Sequence, residues 1–182
     1  MIETTTPRSP AHTEPAGAPV APAGTMARLF SFPDPVNEVS ARLVAGGVVV
    51  ASTLTIVLGL RWGPAVLAYG FLARVAAGPT FSPLGQVVTR VITPRVGMRP
   101  RFVPGPPKRF AQGIGAVVTT TSAVLAGLGH WPVAAAVLGL VVAAAFLESV
   151  FAFCIGCTLF GVMMRVGLIP VSVCARCVGG PG

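Results

Sequence analysis

Four apolar stretches divide the chain, over residues 41–60, 63–78, 110–128 and 133–153. A helix of about twenty residues, rising 1.5 Å per residue, crosses the ~30 Å hydrocarbon core of a bilayer, and three of the stretches have about this length. The second stretch reaches only about 22 Å before Gly78 and Pro79 end it, so it predicts a short, tilted or re-entrant span. The pattern predicts an all-α integral membrane protein with about four transmembrane helices in two hairpins.

The polar segments between these stretches predict an orientation. Residues 1–27 are rich in Pro, Ala, Thr and Gly and have no periodic apolar positions, which is typical of a disordered tail. The loop 79–109 holds six cationic side chains and no acid, which marks it as cytoplasmic by the positive-inside rule. With four spans, both chain termini lie on that same side, and residues 28–177 form one multi-span membrane domain.

Single residues and short runs predict the local structure of the segments that flank the spans. Asp34 or Asn37 is expected to cap the first span. Residues 86–92 are expected to form a short surface helix. The run from Pro104 to Pro107 predicts an extended, stiff segment.

Composition agrees with a membrane protein. Charged residues make up 10% of the chain, apolar residues make up 53%, and the mean hydropathy is +0.81. A soluble domain has about 25% charged residues. The net charge of +8 is explained by arginines that flank the spans, so no nucleic-acid partner is predicted; the expected partner is the lipid bilayer.

Candidate chemistry lies in the cysteine segment 154–177. The chain has four cysteines, Cys154, Cys157, Cys174 and Cys177, in the spacing C-x2-C-x16-C-x2-C. This spacing is compatible with a four-thiolate zinc site and also with two redox dithiols. Pro170 ends any helix that follows the first pair, so the second pair is expected in an exposed tail. There Arg176 would favour the thiolate of a neighbouring cysteine.

Two charges inside the spans are further candidates. Arg74 lies in the second stretch and Glu148 in the fourth, and an ionisable residue inside a span is a functional-site hypothesis by default. The two are expected to form an ion pair, because their depths in the bilayer differ by less than the reach of an arginine. In a straight helix Glu148 lies about 240° from Cys154, so the acid would face away from the thiols unless the helix breaks.

Several long motifs resemble one family of bacterial membrane proteins. The stretches FSFPDPVNEVSARL, FLARVAAGPTFSPLGQ, PGPPKRFAQGIGA and FLESVFAFCIGC resemble domain of unknown function 4395 over about residues 28–177. The resemblance implies a multi-pass protein of the bacterial plasma membrane whose two cysteine pairs match those of the family. It also implies a thioredoxin-like or sulfurtransferase protein as partner, and so favours thiol or sulfur chemistry.

Three functions remain open from the sequence. The first is a membrane thiol–disulfide protein that needs no cofactor. The second is a structural zinc site that ties the C-terminus to the fourth span. The third is a scaffold or small-solute permease in which the cysteines are incidental. No nucleotide-binding glycine motif or hydrolase triad is present to support another chemistry.

Overall fold

The computed structural model describes residues 32–78, 81–97, 99–174 and 177. The predicted tail over residues 1–27 and the side chain of Arg176 lie outside the described residues. Within them the chain is mostly helical, in agreement with the predicted all-α class.

Three of the described helices are long and apolar enough to cross a membrane. They are α1 (Glu38–Val57), α5 (Gly105–Gly127) and α6 (Trp131–Phe151). The predicted second span is the shorter α2 (Gly63–Ala77), whose 15 residues reach about 22 Å. The predicted spans therefore match helices, and the weak one is short.

The helix starts are set by caps that the sequence only partly indicates. Asn37 caps α1 by accepting a hydrogen bond from Val39 N at 3.0 Å, as predicted. Asp34 Oδ1 accepts from Gly105 N at 3.0 Å and so serves α5 instead. The predicted extended run after Pro104 is wrong, because its prolines occupy the first turn of α5, where proline is tolerated.

The basic loop is folded against α1. It contains α3 (Pro83–Val87), a π-helical turn (Val88–Ile92) and α4 (Thr93–Val96). Val88 is buried, and Ser40 and Thr93 share a hydrogen bond of 3.1 Å. A two-residue antiparallel ribbon of β1 (Val36–Asn37) and β2 (Phe102–Val103) ties the loop to the start of α1.

The long helices form an antiparallel bundle with α2. Helix α1 packs on α6, α6 on α5, and α5 on α2, while α1 and α2 form a hairpin. Each of these helices contributes to one core cluster, which consists of Ala45, Val48, Phe71, Ala116, Leu138, Val141 and Ala145. A further helix, α7 (Ile155–Arg165), packs on α5 and brings the cysteine segment back to the bundle.

Candidate functional site

A break between α6 and α7 determines where the first cysteine pair lies. Helix α6 ends at Phe151, and Ala152 adopts a left-handed conformation with φ of 57°. The chain then restarts as α7 with Cys154 at its N-cap, where Cys154 Sγ accepts from Cys157 N at 3.3 Å. Because the helix breaks here, the angle of about 240° that a straight helix would put between Glu148 and Cys154 does not apply.

Both cysteine pairs are positioned as disulfides. The Cα atoms are 5.2 Å apart in Cys154–Cys157 and 5.3 Å apart in Cys174–Cys177, within the usual range for a disulfide. Cys154 is 9% exposed and Cys174 is 5% exposed, whereas Cys157 and Cys177 are half-buried. The prediction that the second pair sits in an exposed tail is therefore wrong for Cys174.

The described residues do not assemble a metal site. They contain no group of three or more His, Cys, Asp or Glu side chains placed to hold a metal ion. Each cysteine sulfur is paired with the sulfur three residues away along the chain, so the four do not form one tetrahedral set. This arrangement does not fit the four-thiolate zinc site that the spacing permits.

A partly open cavity of about 370 Å³ lies next to the first cysteine pair. Its walls come from α1, α2, α5, α6 and the start of α7, and are mainly aliphatic. The polar groups that line it are few: Arg74, Gln112, Glu148 and Cys154. The break after α6 thus brings a cysteine and an intramembrane acid to the same cavity.

The charges around this cavity form a network rather than the predicted direct pair. Arg74 is 5% exposed and donates from Nε to Gln112 Oε1 at 3.1 Å, while its guanidinium lies 4.4 Å from the centre of the Phe71 ring. Glu148 forms its salt bridge with Lys108, at 2.5 Å. Arg74 interacts with Glu148 electrostatically, without a salt bridge in the described residues. The predicted ion pair between Arg74 and Glu148 is thus replaced by Lys108–Glu148.

A second cavity, of about 330 Å³, lies under the basic loop. Arg74 and Gln112 line both cavities, and Lys108 lines the second. The polar side chains therefore lie between an apolar cavity beside Cys154 and a second cavity that is lined in part by the basic loop.

A family comparison decides what the chain is related to. The family model described as Domain of unknown function (DUF4395) matches residues 36–165 of the 182. The chain belongs to the DUF4395 family. No curated protein and no solved structure matches it.

The DUF4395 match has an informative boundary. It includes the cavity-lining polar side chains and the pair Cys154–Cys157, and it ends at residue 165, before Cys174. The first cysteine pair and the cavity are therefore part of the family domain, whereas the second pair lies beyond the matched region.

Sequence reasoning misses two polar residues of this DUF4395 site. Lys108 reads as a loop charge, and Gln112 carries no motif of its own. A signal is nevertheless present, because Lys108, Gln112, Thr119 and Ser122 recur at helical spacing and so follow one face of α5. Thr119 and Ser122 are fully buried on that face.

Proposed function

We propose that the protein is a membrane thiol–disulfide exchange protein whose reactive centre is Cys154–Cys157. One observation carries the proposal: Cys154 is at once the N-cap of α7 and part of the wall of a cavity that also contains Arg74 and Glu148. A purely structural disulfide would need neither feature. Titratable or redox groups that converge on a largely apolar cavity are the usual mark of a reactive site.

The local geometry favours different roles for the two sulfurs. The positive end of a helix dipole and the Cys157 N–H group both favour a thiolate on Cys154. Cys157 is the more exposed of the two. In the proposed reaction a substrate thiolate attacks Cys157 Sγ, the Cys154–Cys157 bond breaks, and Cys154 leaves as the stabilised thiolate.

The second step releases the product. A second thiolate of the substrate attacks the mixed disulfide, its own disulfide forms, and Cys157 leaves as a thiolate. The substrate dithiol is thereby oxidised and Cys154–Cys157 is reduced. We propose a thioredoxin-like or sulfurtransferase protein as this partner, and Cys174–Cys177 as a second pair that can exchange with it.

We further propose that the exchange faces the cytoplasm of a bacterial cell, with both chain termini on that side. The support is the charge distribution. Arg42, Arg74, Lys108 and Arg109 lie at the end of the bundle that carries the basic loop. The turns at the opposite end carry Arg61.

The first prediction concerns trapping of a mixed disulfide. In a full-length chain that carries Cys174→Ser and Cys177→Ser, the Cys154→Ser protein is purified in detergent and mixed with a reduced thioredoxin-like protein that lacks its own resolving cysteine. Cys157 has no partner for an internal disulfide in this variant, so after mild oxidation it should form a stable adduct on a non-reducing gel. The matched Cys157→Ser variant should give at least about tenfold less adduct, because Cys154 is buried.

Zinc is the competing proposal, since the spacing of the cysteines permits it. A native mass spectrum of the protein purified without reductant or chelator distinguishes the zinc site from the exchange function. Loss of four hydrogens without metal supports two disulfides. One bound zinc with four intact thiols would overturn the exchange proposal, as would equal absence of adducts from both serine variants.

A further inference from the structure

We propose that the cavity beside Cys154 binds a membrane quinone, which accepts the electrons of the reduced Cys154–Cys157 pair. The inference rests on the proposed exchange function and names its electron acceptor. A dithiol that has been reduced by its substrate must be reoxidised before it can act again. The structure offers an acceptor site directly at its buried sulfur.

The size and lining of the cavity select the class of ligand. Its volume of about 370 Å³ is in the range of small-molecule sites, and the walls are mostly Ala, Val, Ile, Leu and Phe side chains. A strongly hydrated oxidant would lose most of its solvation against these walls, because few polar groups line them. An apolar ring with an isoprenoid tail, already dissolved in the bilayer, carries no such cost.

The polar groups suit the carbonyl oxygens of a quinone. Arg74 uses Nε for Gln112 Oε1, and its two terminal nitrogens make no hydrogen bond with the described residues. Because Gln112 Oε1 is engaged, its amide N–H groups are the donors that it can offer a ligand. Two donor side chains in the cavity lining, one on α2 and one on α5, therefore match an acceptor whose negative charge grows as it is reduced.

The redox step balances without another reactant. The two thiols of Cys154 and Cys157 lose two electrons and two protons, and the bond between their sulfurs forms. The quinone takes the two electrons, and its two oxygens take the two protons, giving the hydroquinone. Glu148 lines the same cavity as Cys154, so its carboxylate can carry a proton from the thiol pair to a quinone oxygen.

The test uses the full-length protein in detergent, reduced with dithiothreitol, freed of reductant and kept without oxygen. Decylubiquinone is added, its reduction is followed by absorbance, and the remaining thiols are counted with a maleimide. We expect one quinone reduced for every two thiols lost. The Cys154→Ser protein should reduce none.

Two matched pairs of variants locate the reaction in the cavity. Ala144→Phe fills it, whereas Ala136→Phe makes the same change on an exposed position of α6 outside it. We expect quinone reduction to fall at least about tenfold in the first and to stay unchanged in the second. Arg74→Gln should lower kcat/KM by roughly 10- to 100-fold through the lost charged hydrogen bond, with Arg61→Gln as its control.

The outcomes distinguish this inference from the proposed function. If the pair exchanges with a thioredoxin-like protein but reduces no quinone, the exchange function stands and the quinone site is refuted. The quinone site is also refuted if Ala144→Phe reduces quinone at the normal rate. If Cys154–Cys157 reacts with neither the protein nor the quinone, both proposals fail.

Discussion

At the scale of single residues, the pair Lys108–Glu148 is the most consequential contact in the bundle. The two side chains are 10% and 17% exposed and meet at 2.5 Å among apolar helices. A buried ion pair gains little over an apolar pair, but removal of one partner leaves a charge that neither water nor protein compensates. Arg74 is close enough to compensate Glu148 in part.

Lys108→Met should therefore destabilise the protein strongly. Loss of one partner of a buried pair costs about 3–5 kcal/mol, and we expect the lower end because Arg74 remains. Adding Glu148→Gln removes the orphan charge and should restore most of the loss. The midpoint of thermal unfolding in detergent measures both effects.

The control for this prediction is the second salt bridge of the described residues. Arg101 pairs with Glu38 at 3.2 Å, and its side chain is 79% exposed. The Glu38 side chain is 15% exposed, but it lies in the first turn of α1, so the positive end of that helix still compensates its charge when Arg101 is removed. Arg101→Met should cost less than about 1 kcal/mol. Equal destabilisation by Arg101→Met and Lys108→Met would show that burial of the pair does not determine how much free energy of unfolding is lost.

At the scale of elements, the contact between α7 and α5 holds the cysteine pair at the cavity. A methyl group at Gly156 would lie 2.5 Å from Ala111 Cβ and 2.6 Å from Ala111 Cα. The glycine is therefore needed for the close approach of these two helices. Phe160 packs on Phe110 along the same contact, with ring centres 5.6 Å apart.

Gly156→Ala should push α7 away from α5. Overpacking of this kind costs about 1–3 kcal/mol, and the clash involves backbone that cannot rotate away. Gly161→Ala, on the same helix and facing open space, should leave stability unchanged or raise it slightly. Thermal unfolding of the two variants checks this, and a Gly156→Ala protein as stable as Gly161→Ala would show that the contact is loose.

The helices are largely predictable from the sequence. An apolar run that is long enough to cross a membrane must form a helix there, because only a helix satisfies the hydrogen bonds of its backbone N–H and C=O groups within one segment. The site is less predictable. A continuous helix would turn Glu148 away from Cys154, and no residue type between them indicates the left-handed conformation of Ala152 that breaks the helix. Lys108 reads as a loop residue because Pro106 and Pro107 resemble an extended run, although both fit the first turn of α5.

At the scale of the whole molecule, the antiparallel bundle makes orientation testable. The turns after α1 and α5 lie at one end, and the basic loop lies at the other. If α2 crosses despite its 15 residues, residues 61 and 130 share one side of the membrane and residue 99 lies on the other.

Cysteine labelling measures this arrangement. Arg61→Cys, Arg99→Cys and His130→Cys are made separately in a chain whose four native cysteines are serine. In intact cells a membrane-impermeant maleimide should label positions 61 and 130 but not 99, which should react only after the cells are permeabilised. Protection of 61 with labelling of 130 would mean that α2 does not cross.

The burial of Cys174 has a consequence for kinetics. A reductant reaches this disulfide at Cys177, which is half-buried, so the first attack forms a mixed disulfide there and releases the covered Cys174 as a thiolate. That thiolate stays within reach of the mixed disulfide, where it can re-form the original bond and expel a monothiol. A dithiol resolves the mixed disulfide with its own second thiol, so the Cys174–Cys177 bond should stay oxidised among small monothiols and be reduced by dithiols.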